Sequence, residues 1–529
     1  MRLQKLLIRR FKNLRDIELD FSDAFTSVLV GRNGTGKSNV LEALILIFRD
    51  LDLGNPPLFG YQIEYTCRGA SVLVDADPDR RAQLVRILVD GVSVSREAFA
   101  RKGDTHGRYL PNHVFGYYSG PSNRMEDHFA THQKQFAEAL RKGNDRALRP
   151  LFYARLVHSQ FALLSFFQRE GQDRQLLKDP LNIEQLESVL FVLKEPHWAD
   201  ESRKTPEDNP GDPRFWGAQG VVRDFLRRLY ALSLAPMRTQ RGKRLYLYLE
   251  DREHLFELAQ GYHDKGPQEF FKALESLYVS EMIESVRTRV KVGGTDEPLT
   301  FRELGEGEQQ LLMVLGLLRF MEGQEALFLL DEPDTHLNPA WSLRYAQLLR
   351  DSVADEETSQ IVMATHDPLV IAGLERKDVL LMQRDDVTGR VFAEHPAEDP
   401  RGMGVAGLLT SEVYGLQSDL SPEAVADLET LRRLTMLGER TEEEERELSR
   451  IYKQYHGARL TRTTRDPMFS LFVQAMRKAE RTENLDKLAL SPTEVHERER
   501  LAVQIAQRVK AEYNARLDKD AGDSSVADE

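Results

Sequence analysis

Residues 31–38 read GRNGTGKS and match the pattern G-x-x-x-x-G-K-[ST]. An apolar segment precedes them, and the segment KSNVLEALILIF, with apolar residues at helical spacing, follows. Between a strand and a helix, such glycines let backbone N–H groups converge on phosphate oxygens. The lysine would add charge to the β and γ phosphates, and the serine hydroxyl would contact Mg²⁺. This pattern predicts a triphosphate site rather than a chance glycine turn. Its candidate residues are Gly31, Arg32, Asn33, Gly34, Thr35, Gly36, Lys37, Ser38 and Asn39.

Two acids end the apolar segment EALFLLDEP at residues 325–333. Asp331, at the end of a predicted strand, could hold Mg²⁺ with Ser38, and Glu332 could activate an attacking water as a general base. The alternative interpretation is that the two acids only cap a helix after a strand. The presence of the glycine loop in the same chain favours the catalytic interpretation. The next predicted strand, QIVMATHDP, ends near His366, whose imidazole could hydrogen-bond a γ-phosphate. Such a histidine is more often structural, and the order of the motifs favours a catalytic role. The candidate catalytic residues are Glu332, His366 and Lys37.

A second glycine turn occurs at residues 301–316, FRELGEGEQQLLMVLG. The apolar residues that follow predict a buried helix, and the N-terminus of a helix favours anions. An ordinary helix start with acids near the helix dipole is the alternative. The segment DTHLNP, which contains Asn338, follows the acidic pair.

The order of these motifs resembles the head of an ABC-type ATPase, in the class that includes the RecF and SMC proteins. The resemblance implies ATP and Mg²⁺ as cofactors, and a homodimer in which each nucleotide lies between two chains. In that class the second glycine turn is the signature motif, which one subunit presents to the phosphate held by the other. The residues that the resemblance adds to the nucleotide site are Leu304, Gly305, Glu306, Gly307, Glu308 and Asn338.

The chain departs from that class at several positions. Gly305 stands where a serine is usual, so a hydroxyl contact to phosphate is missing, and Glu306 beside a triphosphate is unfavourable unless it points away. These departures suggest slow or partner-gated hydrolysis. His336-Leu337-Asn338 stands in place of Ala-Leu-Asp. The residue that corresponds to the usual Q-loop glutamine of that class is not assigned by pattern, and the segment YYSGPSNRM offers Ser119 and Asn123 as candidates.

Composition limits the class of protein. The 529 residues are 41% hydrophobic and 30% charged, which suits several packed units. A net charge of −13 means that any nucleic-acid contact needs a local basic patch. The single cysteine, Cys67, excludes an internal disulfide. No signal peptide or membrane-spanning run is recognisable, so we expect a cytoplasmic protein without a membrane partner.

The element pattern predicts an α/β head, with a mixed sheet between helices and an antiparallel β lobe, followed by an all-α module. Residues 58–118, including HVFGYYSG, are expected to form the antiparallel sheet, and residues 125–200 are expected to be helical, including LNIEQLESVLFVL. The predicted divisions are an N-terminal lobe with the glycine loop (1–124), a helical insertion lobe (125–240), a C-terminal lobe with the remaining motifs (241–416), a helical partner-binding module (417–516) and a disordered tail (517–529).

A compact head followed by helices is similar to the PtuA family of ATPases from Septu and retron-linked antiphage systems. The segments that carry this resemblance are FRELGEGEQQLLMVLGLLRF, LFLLDEPDTHLNPAW, YYSG and GLLTSEVYGL. The resemblance implies an HNH nuclease partner of the PtuB type, bound to the C-terminal helices. In the retron version it also implies a reverse transcriptase with its multicopy DNA–RNA.

Two other functions remain open at this stage. A RecF-like DNA-repair ATPase would bind DNA without a nuclease partner, and an OLD-like protein would carry its own nuclease site. No second metal site is recognisable after residue 366, so we expect no nuclease activity from the chain itself. Basic segments at 9–12, 237–244 and 456–465 could contact nucleic acid, although solvated surface explains each of them equally well.

Overall fold

The computed structural model divides the chain into two compact units, Met1–Gln417 and Ser418–Glu529. We refer to them as unit 1 and unit 2. The residues that the structure describes are 1–21, 24–99, 109–145, 148–167, 172–179, 181–199, 211–239, 242–262, 267–295, 297–320, 325–353, 356–385, 387–416, 418, 420–436, 440–455, 475–476 and 500–511.

The strands of the described residues all lie in unit 1. In chain order they are β1 (Arg2–Phe11), β2 (Leu14–Asp20), β3 (Thr26–Val30), β4 (Tyr61–Cys67), β5 (Ala70–Ala76), β6 (Val85–Val89), β7 (Val92–Ser93), β8 (His113–Tyr118), β9 (Leu151–Tyr153), β10 (Ile183–Lys194), β11 (Met237–Arg238), β12 (Arg244–Leu249), β13 (Ile283–Val292), β14 (Leu299–Thr300), β15 (Ala326–Asp331), β16 (Ser359–Ala364), β17 (Val379–Arg384) and β18 (Val391–Glu394).

The helices of unit 1 are α1 (Lys37–Leu53), α2 (Arg96–Phe99), α3 (Ala130–Arg141), α4 (Val157–Phe167), α5 (Gln172–Lys178), α6 (Gly220–Leu232), α7 (Arg252–Gln260), α8 (Pro267–Val279), α9 (Glu306–Phe320), α10 (Pro339–Asp351), α11 (Pro368–Ile371) and α12 (Gly404–Thr410). Unit 2 contains α13 (Pro422–Met436) and α14 (Glu442–Tyr455), and residues 500–511 are also helical.

Three sheets organise unit 1. The first is antiparallel, in the order β2-β1-β4-β5-β6-β7, and the second is antiparallel, in the order β11-β12-β10-β13-β14. The third is mixed, in the order β18-β17-β3-β16-β15-β8-β9, with β18 antiparallel to β17 and the other neighbours parallel. This arrangement confirms the predicted class, an α/β head with a mixed sheet, an antiparallel lobe and helices.

The mixed sheet positions the chemical groups. Its central strands β3, β15 and β16 are buried along their whole length, and their mostly apolar sequences suit a position covered on both faces of the sheet. The three strands are parallel, so their carboxyl ends meet at one edge of the sheet. The glycine loop follows β3, the acidic pair ends β15 and His366 follows β16. One sheet edge therefore gathers motifs that are far apart in the sequence.

Two sequence-based expectations about elements are wrong. LNIEQLESVLFVL does not continue a helix, because Ile183–Lys194 is the strand β10, paired with β12 and β13. Its apolar run, with Val189, Phe191 and Leu193 buried, has no clear period and cannot be told from a buried helix by pattern alone. His113–Tyr118 does not join the antiparallel lobe, because it is strand β8 and pairs in parallel with β15.

Unit 2 contains a capping box at the start of α14. Thr441 Oγ1 accepts a hydrogen bond from Glu444 N at 3.3 Å, and Glu444 Oε2 accepts one from Thr441 N at 2.9 Å. The basic segment 456–465 and the tail 517–529 lie outside the described residues. No helix among the described residues is both long enough and apolar enough to cross a membrane.

Candidate functional site

The glycine loop wraps around the start of α1. Gly31 has a φ of +152°, and a Cβ on it would lie 2.2 Å from the carbonyl oxygen of Met382, so a side chain has no room there. Gly36 precedes α1 with a φ of +99°. Lys37 is the first helical residue, and its Nζ donates a hydrogen bond to the carbonyl of Gly31 at 2.7 Å. The Lys37 side chain therefore reaches across the loop, and its ammonium group lies at the carbonyl of Gly31.

Side chains from outside the motif hold the loop. Asn13 Nδ2 donates to the carbonyl of Gly34 at 2.9 Å, and Asn39 Nδ2 donates to Asn13 Oδ1 at 2.6 Å. Arg124 Nη2 donates to Asn39 Oδ1 at 3.3 Å. The sequence motifs assign no role in the site to Asn13 or Arg124. Neither residue belongs to a motif, and their roles depend on contacts between distant parts of the chain.

Asp331 is buried at the end of β15, with 1% of its surface exposed. Burial raises the pKa of its carboxyl to about 6, and Glu332 acts in the same direction, while a hydrogen bond with the Ser38 hydroxyl opposes the rise. Its Oδ2 has no hydrogen-bond partner within the described part of the chain. A buried carboxylate oxygen without a donor, beside a serine hydroxyl, is the donor set that a hard divalent cation prefers. These two residues therefore fit Mg²⁺.

The lysine of the loop belongs to the same charge cluster. Burial lowers the pKa of Lys37, and the nearby carboxylates of Glu332 and Asp331 act against this decrease. Among the described residues no group of three or more His, Cys, Asp and Glu side chains could hold a metal ion by itself. Any ion held between Ser38 and Asp331 would take its remaining ligands from water and phosphate.

Glu332 and His366 face each other at the sheet edge. Glu332 has a φ of +52°, an uncommon conformation for a residue with a side chain, which costs on the order of 1–3 kcal/mol and occurs often at functional sites. Its Oε1 lies 3.3 Å from His366 Nδ1, and both side chains are accessible to solvent, 36% and 60% exposed. The backbone of Glu332 is held by its N–H bond to Ala364 O, at 2.9 Å, and by Gln310 Nε2, which donates to its carbonyl at 3.4 Å. The pair can therefore orient a water molecule.

The second glycine turn packs against the turn that precedes α10. A Cβ on Gly307 would lie 2.2 Å from the carbonyl oxygen of His336, so the two segments touch at the backbone. Glu306 Oε2 lies 3.5 Å from His336 Nδ1. Gly305 N donates to Glu308 Oε2 at 2.6 Å, so a carboxylate of the chain itself occupies one donor at the start of α9. The predicted buried helix is confirmed by α9.

The structure brings together some of the predicted residues and separates others. Ser119 lies at the acidic pair, since its N–H donates to the carbonyl of Asp331 at 3.2 Å and its hydroxyl lies 3.1 Å from Thr335 Oγ1. Asn338 accepts a hydrogen bond from Trp341 N at 3.0 Å and caps α10. Among the described residues, no recorded hydrogen bond or ion pair joins 304–308 to 31–39. Leu304 to Glu308 therefore do not complete the glycine loop of their own chain.

Asp334 should make stability depend on pH. It is buried, burial raises the pKa of its carboxyl to about 6, and none of the described residues donates a hydrogen bond to its Oδ1. Since this pKa lies above the ordinary value of 3.8, the stability that Asp334 contributes is fully present below pH 4 and is lost as the pH rises through about 6. Asp334→Asn should remove this loss and raise the free energy of unfolding at pH 7, relative to pH 4, by about 2 kcal/mol.

Urea unfolding at several pH values between 4 and 8 measures this difference. Asp331 adds a similar pH dependence to both proteins, so the difference between the wild type and the variant isolates Asp334. Asp351→Asn, at an exposed position at the end of α10, is the control and should follow the wild type. Identical profiles for the wild type and Asp334→Asn would contradict the prediction.

Two family models match separate parts of the chain. The first, described as an AAA ATPase domain, matches residues 1–85, which include the glycine loop. The second, described as an AAA domain, putative AbiEii toxin, Type IV TA system, matches residues 165–372, which include the second glycine turn, the acidic pair and His366. The two matches therefore cover the motifs that meet at the sheet edge.

The chain is also similar in sequence to two curated proteins. The chain is 27% identical over 156 residues to the Septu protein PtuA of Bacillus mycoides, covering 27% of this chain and 21% of that protein. It is 22% identical over 408 residues to the OLD nuclease of Thermus scotoductus, covering 75% of this chain and 65% of that protein. These matches support an ATPase of the RecF, OLD and Septu type. The matched region spans less than two thirds of each of these two relatives.

Solved structures show a more distant likeness. The SMC head domain from Thermotoga maritima aligns with a TM-score of 0.32 and 14% sequence identity, over 75% of this chain and 99% of that domain. At this level the likeness gives no information about function. The assignment of the ATPase type therefore depends on the motifs, their meeting at one sheet edge and the sequence matches.

Proposed function

We propose that this chain is an ATPase that closes as a homodimer around ATP and regulates an HNH nuclease partner in bacterial antiphage defence. The observation that carries the ATPase part is the cluster at one sheet edge. There the buried carboxyl of Asp331 lies beside Ser38 and Lys37, next to the Glu332–His366 pair. A phosphate cradle, a metal ligand and a candidate base at one edge are the parts that ATP hydrolysis needs.

Each residue then has a defined role. The N–H groups of Gly31 to Ser38 would bind the phosphates at the start of α1, and Lys37 Nζ would exchange the carbonyl of Gly31 for phosphate oxygens. Glu332 Oε1 would accept a proton from the attacking water, and His366 would hold that water or the γ-phosphate from the other side. Mg²⁺ held by Ser38 and Asp331 would supply positive charge to the phosphate oxygens.

The position of the second glycine turn supports the proposed dimer. Leu304 to Glu308 lie on unit 1 without a recorded bond to the glycine loop, and the Glu306 side chain is 74% exposed. We infer that these residues, with Asn338, meet the nucleotide held by a second copy. Sedimentation with ATP and Mg²⁺ should give a dimer, and sedimentation with ADP a monomer. A monomer under every nucleotide condition would contradict this part of the proposal.

The similarity to the Septu protein, which covers a limited part of that relative, supports the proposal of a partner. We infer that unit 2 binds an HNH nuclease in the cytoplasm, and that a reverse transcriptase with its multicopy DNA–RNA restrains the complex where one is encoded nearby. Co-expression with an HNH protein from the same operon tests this proposal. DNA cleavage by the isolated chain would favour the OLD-like alternative instead.

Nucleic-acid binding is a second candidate function, and the outer face of the second sheet supports it. Along β13 the exposed residues Arg287, Arg289 and Lys291 alternate with buried Val286, Thr288 and Val290, so the three cations share one face. The strand register places Lys194, Arg244, Tyr246 and Tyr248 on that face. We call this surface the basic sheet face.

The charges of this face are incompletely compensated. Arg244 is held by Glu284 through two bonds, of 2.6 and 2.7 Å, and Arg289 lies near Glu303. Arg287 and Lys291 make no ion pair with any described residue. In a chain with a net charge of −13, such a surface attracts polyanions locally, and tyrosines offer faces for stacking with bases.

Removing three cations should weaken binding of single-stranded DNA or RNA. The triple variant Arg287→Ala, Arg289→Ala, Lys291→Ala should lose about tenfold or more in affinity at moderate salt and show a shallower salt dependence. Fluorescence anisotropy at several salt concentrations measures both quantities. A control with the same loss of charge, Arg81→Ala, Lys134→Ala, Lys178→Ala, changes exposed cations elsewhere. Equal affinity loss in both triple variants would assign the effect to net charge alone.

A further inference from the structure

Residues 404–416 end the described stretch 387–416 that precedes unit 2, and we call them the Tyr414 segment. The segment begins with α12 and ends in a turn in which Gly415 N donates to Ser411 O at 2.7 Å. Leu408 and Val413 are buried and anchor it in the core of unit 1. The division between the two units follows directly, between Gln417 and Ser418. A short, well-anchored segment therefore leads from the head into unit 2.

The segment bonds to the backbone of the candidate catalytic histidine. The hydroxyl of Tyr414 donates a hydrogen bond to the carbonyl oxygen of His366 at 2.7 Å. The phenol is half-buried, and burial, with Asp367 and Asp334 nearby, raises its pKa, so it stays protonated and remains a donor. A Cβ on Gly415 would lie 4.0 Å from Arg32 Nη2, so the same turn borders the glycine loop.

Other bonds hold the residues on either side of His366. Thr365 Oγ1 donates to Asp334 Oδ2 and accepts a bond from Asp367 N at 3.0 Å. The carboxylate of Asp367 in turn caps α11 through Leu369 N at 2.9 Å. The imidazole itself is 60% exposed and contacts only Glu332 among the recorded ion pairs of the described residues. The peptide after His366 is therefore held at its N–H by the Thr365 hydroxyl and at its carbonyl oxygen by the phenol of Tyr414.

We infer that Tyr414 is a positioning residue for His366, and that unit 2 acts on ATP turnover through the Tyr414 segment. The inference rests on the proposed ATPase function and adds a route of regulation to it. A change in the direction of the His366 carbonyl alters the backbone angles on both sides of it and moves the imidazole relative to Glu332. Small displacements of a catalytic group reduce turnover strongly without changing how substrate binds.

The test compares two tyrosine variants in the full chain. Tyr414→Phe should lower kcat for ATP about fivefold and leave KM within about twofold, because the glycine loop is unchanged. Tyr278→Phe is the matched control, since its phenol oxygen accepts a hydrogen bond from Arg155 Nη1 at 2.9 Å outside the candidate site. It should match the wild type. Unchanged kcat in Tyr414→Phe would overturn the inference.

A double-mutant cycle separates positioning from a general structural role. In a His366→Ala background, Tyr414→Phe should change kcat by less than about twofold, because the side chain that it positions is gone. An equal loss in both backgrounds would show that Tyr414 acts independently of His366, and would overturn the inference. A wild-type chain that hydrolyses no ATP would overturn the proposed function together with this inference.

The route to unit 2 has its own test. Four residues, Gly-Ser-Gly-Ser, inserted between Gln417 and Ser418 relax the connection without altering any residue of the site. The insertion should change kcat by more than about twofold in the wild type and have no further effect on Tyr414→Phe. Equal kcat with and without the insertion would show that unit 2 does not act on ATP turnover through the Tyr414 segment.

Discussion

Glu332→Gln is expected to slow ATP turnover by about 10²–10³-fold while ATP still binds, because the amide cannot accept the proton of the attacking water. The substitution preserves the size of the side chain at 3.3 Å from His366 Nδ1 and leaves Lys37 and Asp331 in place. Bound ATP would then persist between two copies, so the dimer should accumulate. Single-turnover hydrolysis and sedimentation with ATP and Mg²⁺ measure the two effects.

A matched control defines the specificity of this effect. Glu398→Gln replaces an exposed carboxyl in the loop after β18 and should leave both turnover and dimer formation unchanged. Turnover of Glu332→Gln within about threefold of the wild type would move the general base to another residue. A variant that binds ATP and stays monomeric would instead contradict the closed dimer.

Lys37→Ala is expected to reduce ATP affinity by about 10²-fold or more, since in the proposed site the lysine would supply charge-assisted bonds to two phosphates. Its Nζ already lies inside the loop, 2.7 Å from Gly31 O, so little reorganisation precedes binding. Burial of the ammonium beside Asp331 and Glu332 means that its removal also leaves two acids without their cation. Both consequences disfavour an anionic ligand.

Equilibrium filter binding with labelled ATP measures the loss. Lys134→Ala, at an exposed position of α3, removes the same charge elsewhere and should keep the wild-type affinity. Thermal unfolding without nucleotide should show that Lys37→Ala remains folded. An affinity close to that of the wild type would exclude the glycine loop as the phosphate site.

Local patterns predicted the chemical groups of the site because each motif marks the end of an element. A short window of sequence is enough to recognise a glycine loop between an apolar strand and a helix. The same holds for an acidic pair that follows an apolar run. Parallel pairing of β3, β15 and β16 then makes their carboxyl ends neighbours. The placement of Asp331, Glu332 and His366 at one edge therefore agrees with that reasoning.

The residues that hold these groups could not be predicted in the same way. Arg124 reaches Asn39 across 85 positions, Tyr414 reaches His366 across 48 and Gln310 reaches Glu332 across 22. Such contacts exist only once the sheet and helices have packed, and a single sequence does not contain them. Strand β10 was mistaken for a helix for a related reason, because its partners β12 and β13 follow it at a distance.

The close approach of Gly307 to the carbonyl of His336 has a mechanical consequence. Without space for even a methyl group, the start of α9 cannot tilt unless the residues before α10 travel with it. Gln310 on the same helix also bonds to the backbone of Glu332. In the proposed dimer, a displacement of α9 by a neighbouring copy would therefore also displace Glu332, the candidate general base of the chain that α9 belongs to. Helix α9 would then couple closure of the proposed dimer to the position of Glu332.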